Sequence, residues 1–128
     1  MTDDRVILAA AGPDVGDGVL AALKRAFPGE VVVVHVDTSE AAFFDPAAGA
    51  FVAVPDGDPA ARFRPLLDEL REQGLVARLR VECGGLVESL VRAADQEDAR
   101  LIVLRTSRTG LRLARLTGRP VLMARATG

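Results

Sequence analysis

Three groups of residues in this 128-residue chain have types and spacings that could support chemistry. The loop Gly12-Pro13-Asp14-Val15-Gly16-Asp17-Gly18 follows a short apolar run and spaces its glycines G-x-x-x-G-x-G. Such glycines let backbone N–H groups approach a pyrophosphate at a helix N-terminus, and Asp37, at the end of the next apolar run, stands where a carboxylate would meet an adenosine ribose. Seven arginines, from Arg100 to Arg125, follow Asp98 with no acidic residue after it, the pattern of an anion-binding surface. Finally there are two solitary reactive side chains, His35 and Cys83. One cysteine excludes an internal disulfide and a cysteine-based zinc site, and one histidine excludes a multi-histidine metal site.

Each group also has a plainer reading. The glycine loop resembles the cofactor loop of short-chain dehydrogenases, but those enzymes need a Tyr-x-x-x-Lys pair and this chain has no tyrosine. Asp14 and Asp17 would also repel phosphates, so the loop reads as a turn with permissive glycines, Asp14 capping the helix that follows. The arginines read as a solvated helix face and as partners of carboxylates elsewhere. The net charge is -2, and no aromatic residues are interleaved for base stacking, so no nucleic acid partner is expected. His35 reads as a packing or hydrogen-bonding residue at a strand end, and Cys83 as a small buried apolar group. No nucleophile–base pair, metal cluster or pair of catalytic carboxylates is apparent, so neither an enzyme nor a bound cofactor is expected.

The elements that position these residues alternate between strand and helix patterns. Val6 to Ala11 is a continuous apolar run of strand length, Val31 to Val36 is a strongly β-branched second strand, and Leu101 to Leu104 and Pro120 to Ala124 are two more. Leu75 to Cys83 alternates apolar with polar residues, as an edge strand does. Helical faces are Val19, Leu20, Leu23 and Phe27; Phe63, Leu66, Leu67 and Leu70; and Leu86, Leu90, Val91 and Ala94. Thr109 to Leu116 is a short helix, and residues 37 to 58 form a long aperiodic connection packing Phe43, Phe44 and Phe51 against the body. The sum is an α/β domain over residues 1–128, a doubly wound parallel five-stranded sheet with helices on both faces. Functional atoms belong beyond the strands' carboxyl ends, at Ala11-Gly12-Pro13, Val36-Asp37-Thr38 and Arg105 to Gly110. An acidic N-terminus and the absence of a long apolar stretch predict a cytoplasmic, soluble protein without a membrane partner.

Several segments resemble the universal stress protein family. Gly85 to Ala94 followed by Ala99-Arg100-Leu101-Ile102-Val103-Leu104 is similar to its third helix and fourth strand. Gly118-Arg119-Pro120-Val121-Leu122-Met123 is similar to its closing strand, and Val33-Val34-His35-Val36 to its second. The resemblance implies strand order 3-2-1-4-5 and a nucleotide site that this chain has largely lost. Where ATP-binding members carry an aspartate after the first strand, Ala11 stands. Where their phosphate loop has its first two glycines, Arg105 and Arg108 stand, and Arg119 replaces the Ser or Thr after Gly118.

Two outcomes follow: a closed pocket, or another anion held by Arg105, Ser107, Arg108, Thr109 and the amides near Gly110. Closure or weak incidental anion binding is the expectation. A weakly held nucleotide touching the backbone at Gly12 and Val36 is the alternative. The resemblance implies a dimeric binding or regulatory domain that does not hold ATP tightly. The apolar last strand, Pro120 to Arg125, lacks a charged gatekeeper and is expected to pair with its copy in a homodimer.

Overall fold

A strand covered on both faces is a continuous apolar run, and Arg5–Ala9 (β1) is one, with Val6, Ile7 and Leu8 fully buried. The computed structural model describes residues 4–26, 29–37, 42–53 and 57–125. The remaining elements are α1 (Asp17–Arg25), β2 (Glu30–Asp37), β3 (Ala42–Asp45), β4 (Ala50–Ala53), α2 (Pro59–Glu72), β5 (Ala77–Cys83), α3 (Leu86–Glu97), β6 (Leu101–Arg105), α4 (Arg108–Leu116) and β7 (Val121–Ala124). Five of the strands form a parallel sheet in the order β5-β2-β1-β6-β7. With the β3–β4 pair set aside, this is the order 3-2-1-4-5.

Alternation along the strands divides the core into two layers. On one face Val6, Leu8, Val31, Val33 and Val103 meet Val19 and Leu23 of α1 and Phe63, Leu66 and Leu70 of α2. On the other, Ile7, Val32, Val34, Ile102 and Leu104 meet Val87, Leu90, Ala93 and Ala94 of α3 and Leu113 of α4. Each fully buried side chain of this size contributes about 1.5–3 kcal/mol relative to exposure.

The edge strand β5 turns its polar face toward α3. Glu97, buried near the end of α3, accepts hydrogen bonds from Arg78 Nη1 at 3.2 Å and Arg80 Nη1 at 2.8 Å, and a further one from Arg78 Nη2. Arg78 Nε also reaches Glu30 at 3.0 Å, and Glu82 lies 3.4 Å from Arg80 and 3.3 Å from Arg92. The Arg78 hydrogen bonds, aided by Arg80, hold the Glu97 carboxyl below the usual glutamate range. The alternation that marks an edge strand thus also supplies the ion pairs that fasten α3 to it.

Four expectations need correction or restriction. Residues 37 to 58 are not an aperiodic connection throughout: β3 and β4 form an antiparallel hairpin with Phe43 opposite Val52 and Phe44 opposite Phe51. Two short aromatic and β-branched runs around the turn residues Pro46 to Gly49 suit a hairpin, although they carry no alternation. Asp14 does not cap α1. Its Oδ1 accepts from Gly16 N–H at 3.1 Å, and Gly16 itself is the N-cap, at φ 88 and ψ 152, a conformation open essentially to glycine. Cys83 is exposed rather than buried, because it ends an edge strand just before the Gly84 turn. Phe27 and Thr38 lie outside the described residues, as do the side chains of Phe43, Phe44 and Phe51.

Candidate functional site

The sheet order reverses at β1. From β1 the chain builds β2 and β5 on one side, then crosses to β6 and β7 on the other. Connections that diverge at such a point leave a crevice beyond the carboxyl ends of the strands. A cleft of about 570 Å³ lies there, within the range of small-molecule sites. Its lining at the central strand is Ala9, Ala10 and Ala11, small side chains that leave the strand end low. Of the two expected outcomes, closure or weak incidental anion binding, the open cleft leaves room for the second.

Two further strand ends add walls. From β2 come Val34, His35, Val36 and Asp37; from β6 come Leu104 and Arg105. Leu86 and Leu90 of α3, Arg62 of α2, and Ser107 and Thr109 at the start of α4 complete it. His35 is buried, and its Nδ1 lies 3.2 Å from the Ala10 carbonyl oxygen. A carbonyl only accepts, so Nδ1 carries the hydrogen and donates it. Phe63 braces the ring at a centroid distance of 4.9 Å. His35 is thus the hydrogen-bonded strand-end residue expected from its position, and it also forms part of the wall.

Ser107 is the N-cap of α4, where its Oγ accepts from Gly110 N–H at 3.1 Å. That bond satisfies one of the amides that a helix start leaves open, and the hydroxyl proton remains a donor. Gly110 has a packing role. A Cβ there would lie 2.6 Å from Met123 Sδ, so its absence lets α4 settle onto β7. Of the seven residues singled out for binding, Val36, Arg105, Ser107 and Thr109 line the cleft together. Gly12 sits in the loop just past Ala11, Arg108 is exposed on α4 and Gly110 is buried; none of these three lines it.

The arginine-rich end resolves into two groups. Arg100 pairs with Asp4 and holds that carboxyl below its usual range through its hydrogen bond. Arg119 reaches Asp95 at 3.3 Å, Asp98 at 3.4 Å and the Ala99 carbonyl at 2.6 Å. Arg105, Arg108, Arg112, Arg115 and Arg125 have no ion pair among the described residues, and of these Arg105 alone lines the cleft.

Arg62 and Leu86 are among the lining residues that sequence reasoning missed. Arg62 precedes Phe63 on α2, and its guanidinium lies 5.8 Å from that ring's centroid. Nothing in its spacing marks it, since its place at the cleft depends on where the 37–58 connection delivers α2. Leu86 was assigned to a buried helix face but is 39% exposed; its position directly after Gly84-Gly85, at the sheet's carboxyl end, was the available signal.

No protein-family profile and no curated protein sequence matches this chain. Solved structures do. A universal stress protein from Archaeoglobus fulgidus in complex with dAMP superposes with a TM-score of 0.70 at 16% identity, covering 97% of this chain and 99% of that one. A protein from the universal stress protein family of Burkholderia pseudomallei is 25% identical, with a TM-score of 0.62 over 95% of this chain and 96% of that one. A universal stress protein in complex with cAMP is 19% identical, with a TM-score of 0.64 over 94% and 95% of the two chains. The chain has the universal stress protein fold along nearly its whole length.

Proposed function

We propose that this chain is a universal-stress-protein-like binding and regulatory domain, homodimeric and not an enzyme, whose ligand occupies the cleft at the end of β1 and which does not hold ATP tightly. The observation that carries the reading is the cleft itself: a ligand-sized cavity at the switch point, with Ala11 on one side and the side chain of Arg105 at the entrance to α4. Ser107 spends its oxygen on the helix cap and His35 spends Nδ1 on a backbone carbonyl. That arrangement suits binding more than nucleophilic attack, which needs a base beside the hydroxyl. The homodimer is supported by β7, an edge strand that among the described residues pairs only with β6, and on which Leu122 is 36% exposed.

Isothermal titration with ATP and ADP tests the reading. Dissociation constants in the millimolar range are expected, because no carboxylate is offered at Ala11 and an arginine side chain occupies the phosphate side. A micromolar constant for ATP at physiological salt would overturn it.

A second reading, an adenine-nucleotide sensor using the altered pocket, is favoured by one observation: two of the superposed structures were solved with adenine mononucleotides, dAMP and cAMP. AMP in the same titration separates the two, since the sensor requires it to bind well below millimolar concentration.

A further inference from the structure

The sheet sorts the polar and apolar residues that its strands bring to the cleft. Strand alternation sends Val34, Val36 and Leu104 to the face covered by α3 and α4, where Leu86 and Leu90 join them. The same alternation sends His35, Asp37 and Arg105 to the opposite face, and α2 on that face adds Arg62. Between the halves lie the low side chains of Ala9, Ala10 and Ala11. The cleft is therefore a saddle over the end of the central strand, apolar on one slope and cationic on the other.

The charges on the polar slope favour an anion. Arg62 and Arg105 have no ion pair among the described residues. Asp37 is the one carboxylate among the described residues that line the cleft, and it is already engaged in an interaction of its own. Among the described residues, two guanidiniums face one carboxylate on this slope, a positive excess. Guanidinium groups suit carboxylate and phosphate oxygens because their donors form a planar fork. The apolar slope, by contrast, is dominated by side chains that gain by excluding water, with the hydroxyls of Ser107 and Thr109 at its α4 end.

The geometry points to a ligand of one chemical class: an anion with a single charged head and an uncharged apolar body. The head is held by Arg62 and Arg105, and the body lies across Ala10 against Leu86, Leu90 and Val36. This rests on the reading of the cleft as the ligand site and adds the ligand's polarity, its direction across the sheet, and Arg62 as a binding residue. A triphosphate, with charge along most of its length, does not fit such a division.

Titrating the full chain calorimetrically with hexanoate, hexanol, acetate and AMP at physiological salt tests this. Hexanoate should bind at least about 10-fold more tightly than acetate or hexanol, a difference of about 1.4 kcal/mol. Arg62→Ala and Arg105→Ala should each weaken hexanoate by about 5-fold or more, the loss of one charge-assisted contact, with melting temperature unchanged. Leu86→Ser should weaken hexanoate while leaving acetate unaffected. Equal affinities for acetate and hexanoate, or hexanoate binding untouched by Arg62→Ala, would overturn the inference. Binding of AMP without hexanoate would overturn it while leaving the cleft as the ligand site, and binding of none of the four would overturn both.

Discussion

Glu97→Gln removes the charge at the centre of the network that joins α3 to β5 while preserving the shape of the side chain. Glu97 is only 8% exposed and accepts from both Arg78 and Arg80. Charge-assisted hydrogen bonds contribute about 1.5–3 kcal/mol each, but neither arginine is abandoned. Arg78 keeps Glu30 at 3.0 Å and is 44% exposed, so water screens and replaces part of the loss; Arg80 keeps Glu82 at 3.4 Å. The net cost should be about 2 kcal/mol. With an unfolding entropy of about 2.1 cal/mol/K per residue, that lowers the melting temperature by roughly 7 °C. The pH dependence is equally specific. The folded state holds the Glu97 pKa below its ordinary value of 4.5, so its stabilisation is complete above that value and is lost as pH falls through the lowered pKa. Thermal melts followed by circular dichroism should show the gap between wild type and variant at neutral pH and its narrowing in acid. A difference under about 1 °C at neutral pH, or a gap undiminished near pH 3, would refute the reasoning.

Gly16→Ala places a Cβ on a residue at φ 88 and should cost about 1–3 kcal/mol in chemical denaturation, whereas Gly12→Ala, with open space around it, should cost far less. Gly110→Ala brings a Cβ to 2.6 Å from Met123 Sδ, but the methionine is flexible and alanine is the better helix former, so the net loss should stay under about 1 kcal/mol. Adding Met123→Ala should recover part of that loss, which a double-mutant cycle would measure. Leu122→Glu charges the exposed edge of the sheet and should convert a sedimenting dimer into monomers or make the protein insoluble. A wild-type monomer at high micromolar concentration would refute the dimer.

Much of the architecture was legible because period and length decide it. Val6 to Leu8, Val31 to Val34 and Leu101 to Leu104 are too short and too continuously apolar for anything but buried parallel strands, and their pairing follows. The hairpin Ala42–Ala53 was not legible, because paired Phe43-Phe44 and Phe51-Val52 give neither alternation nor a helical stripe. At the site, Arg105, Ser107 and Thr109 were found because position after a strand fixes them. Arg62 was not, because a residue on one helix reaches the cleft only through tertiary placement. Cys83 was misread for a related reason: alternation tells which face a residue takes but not how far the covering helix extends.

The central strand pairs on one side with a strand made about ninety residues later, Val6 lying beside Leu101. At a synthesis rate of about 5–20 residues per second, β1 emerges from the ribosome roughly 5–20 s before β6 exists. During that interval β5, β2 and β1 can assemble, but Val6, Ile7 and Leu8 then border an open, uncharged sheet edge, the kind that recruits foreign strands. The nascent chain therefore passes through a stage in which the strand buried deepest in the finished fold has an unprotected edge, and release from that stage comes only with the arrival of Leu101–Arg105.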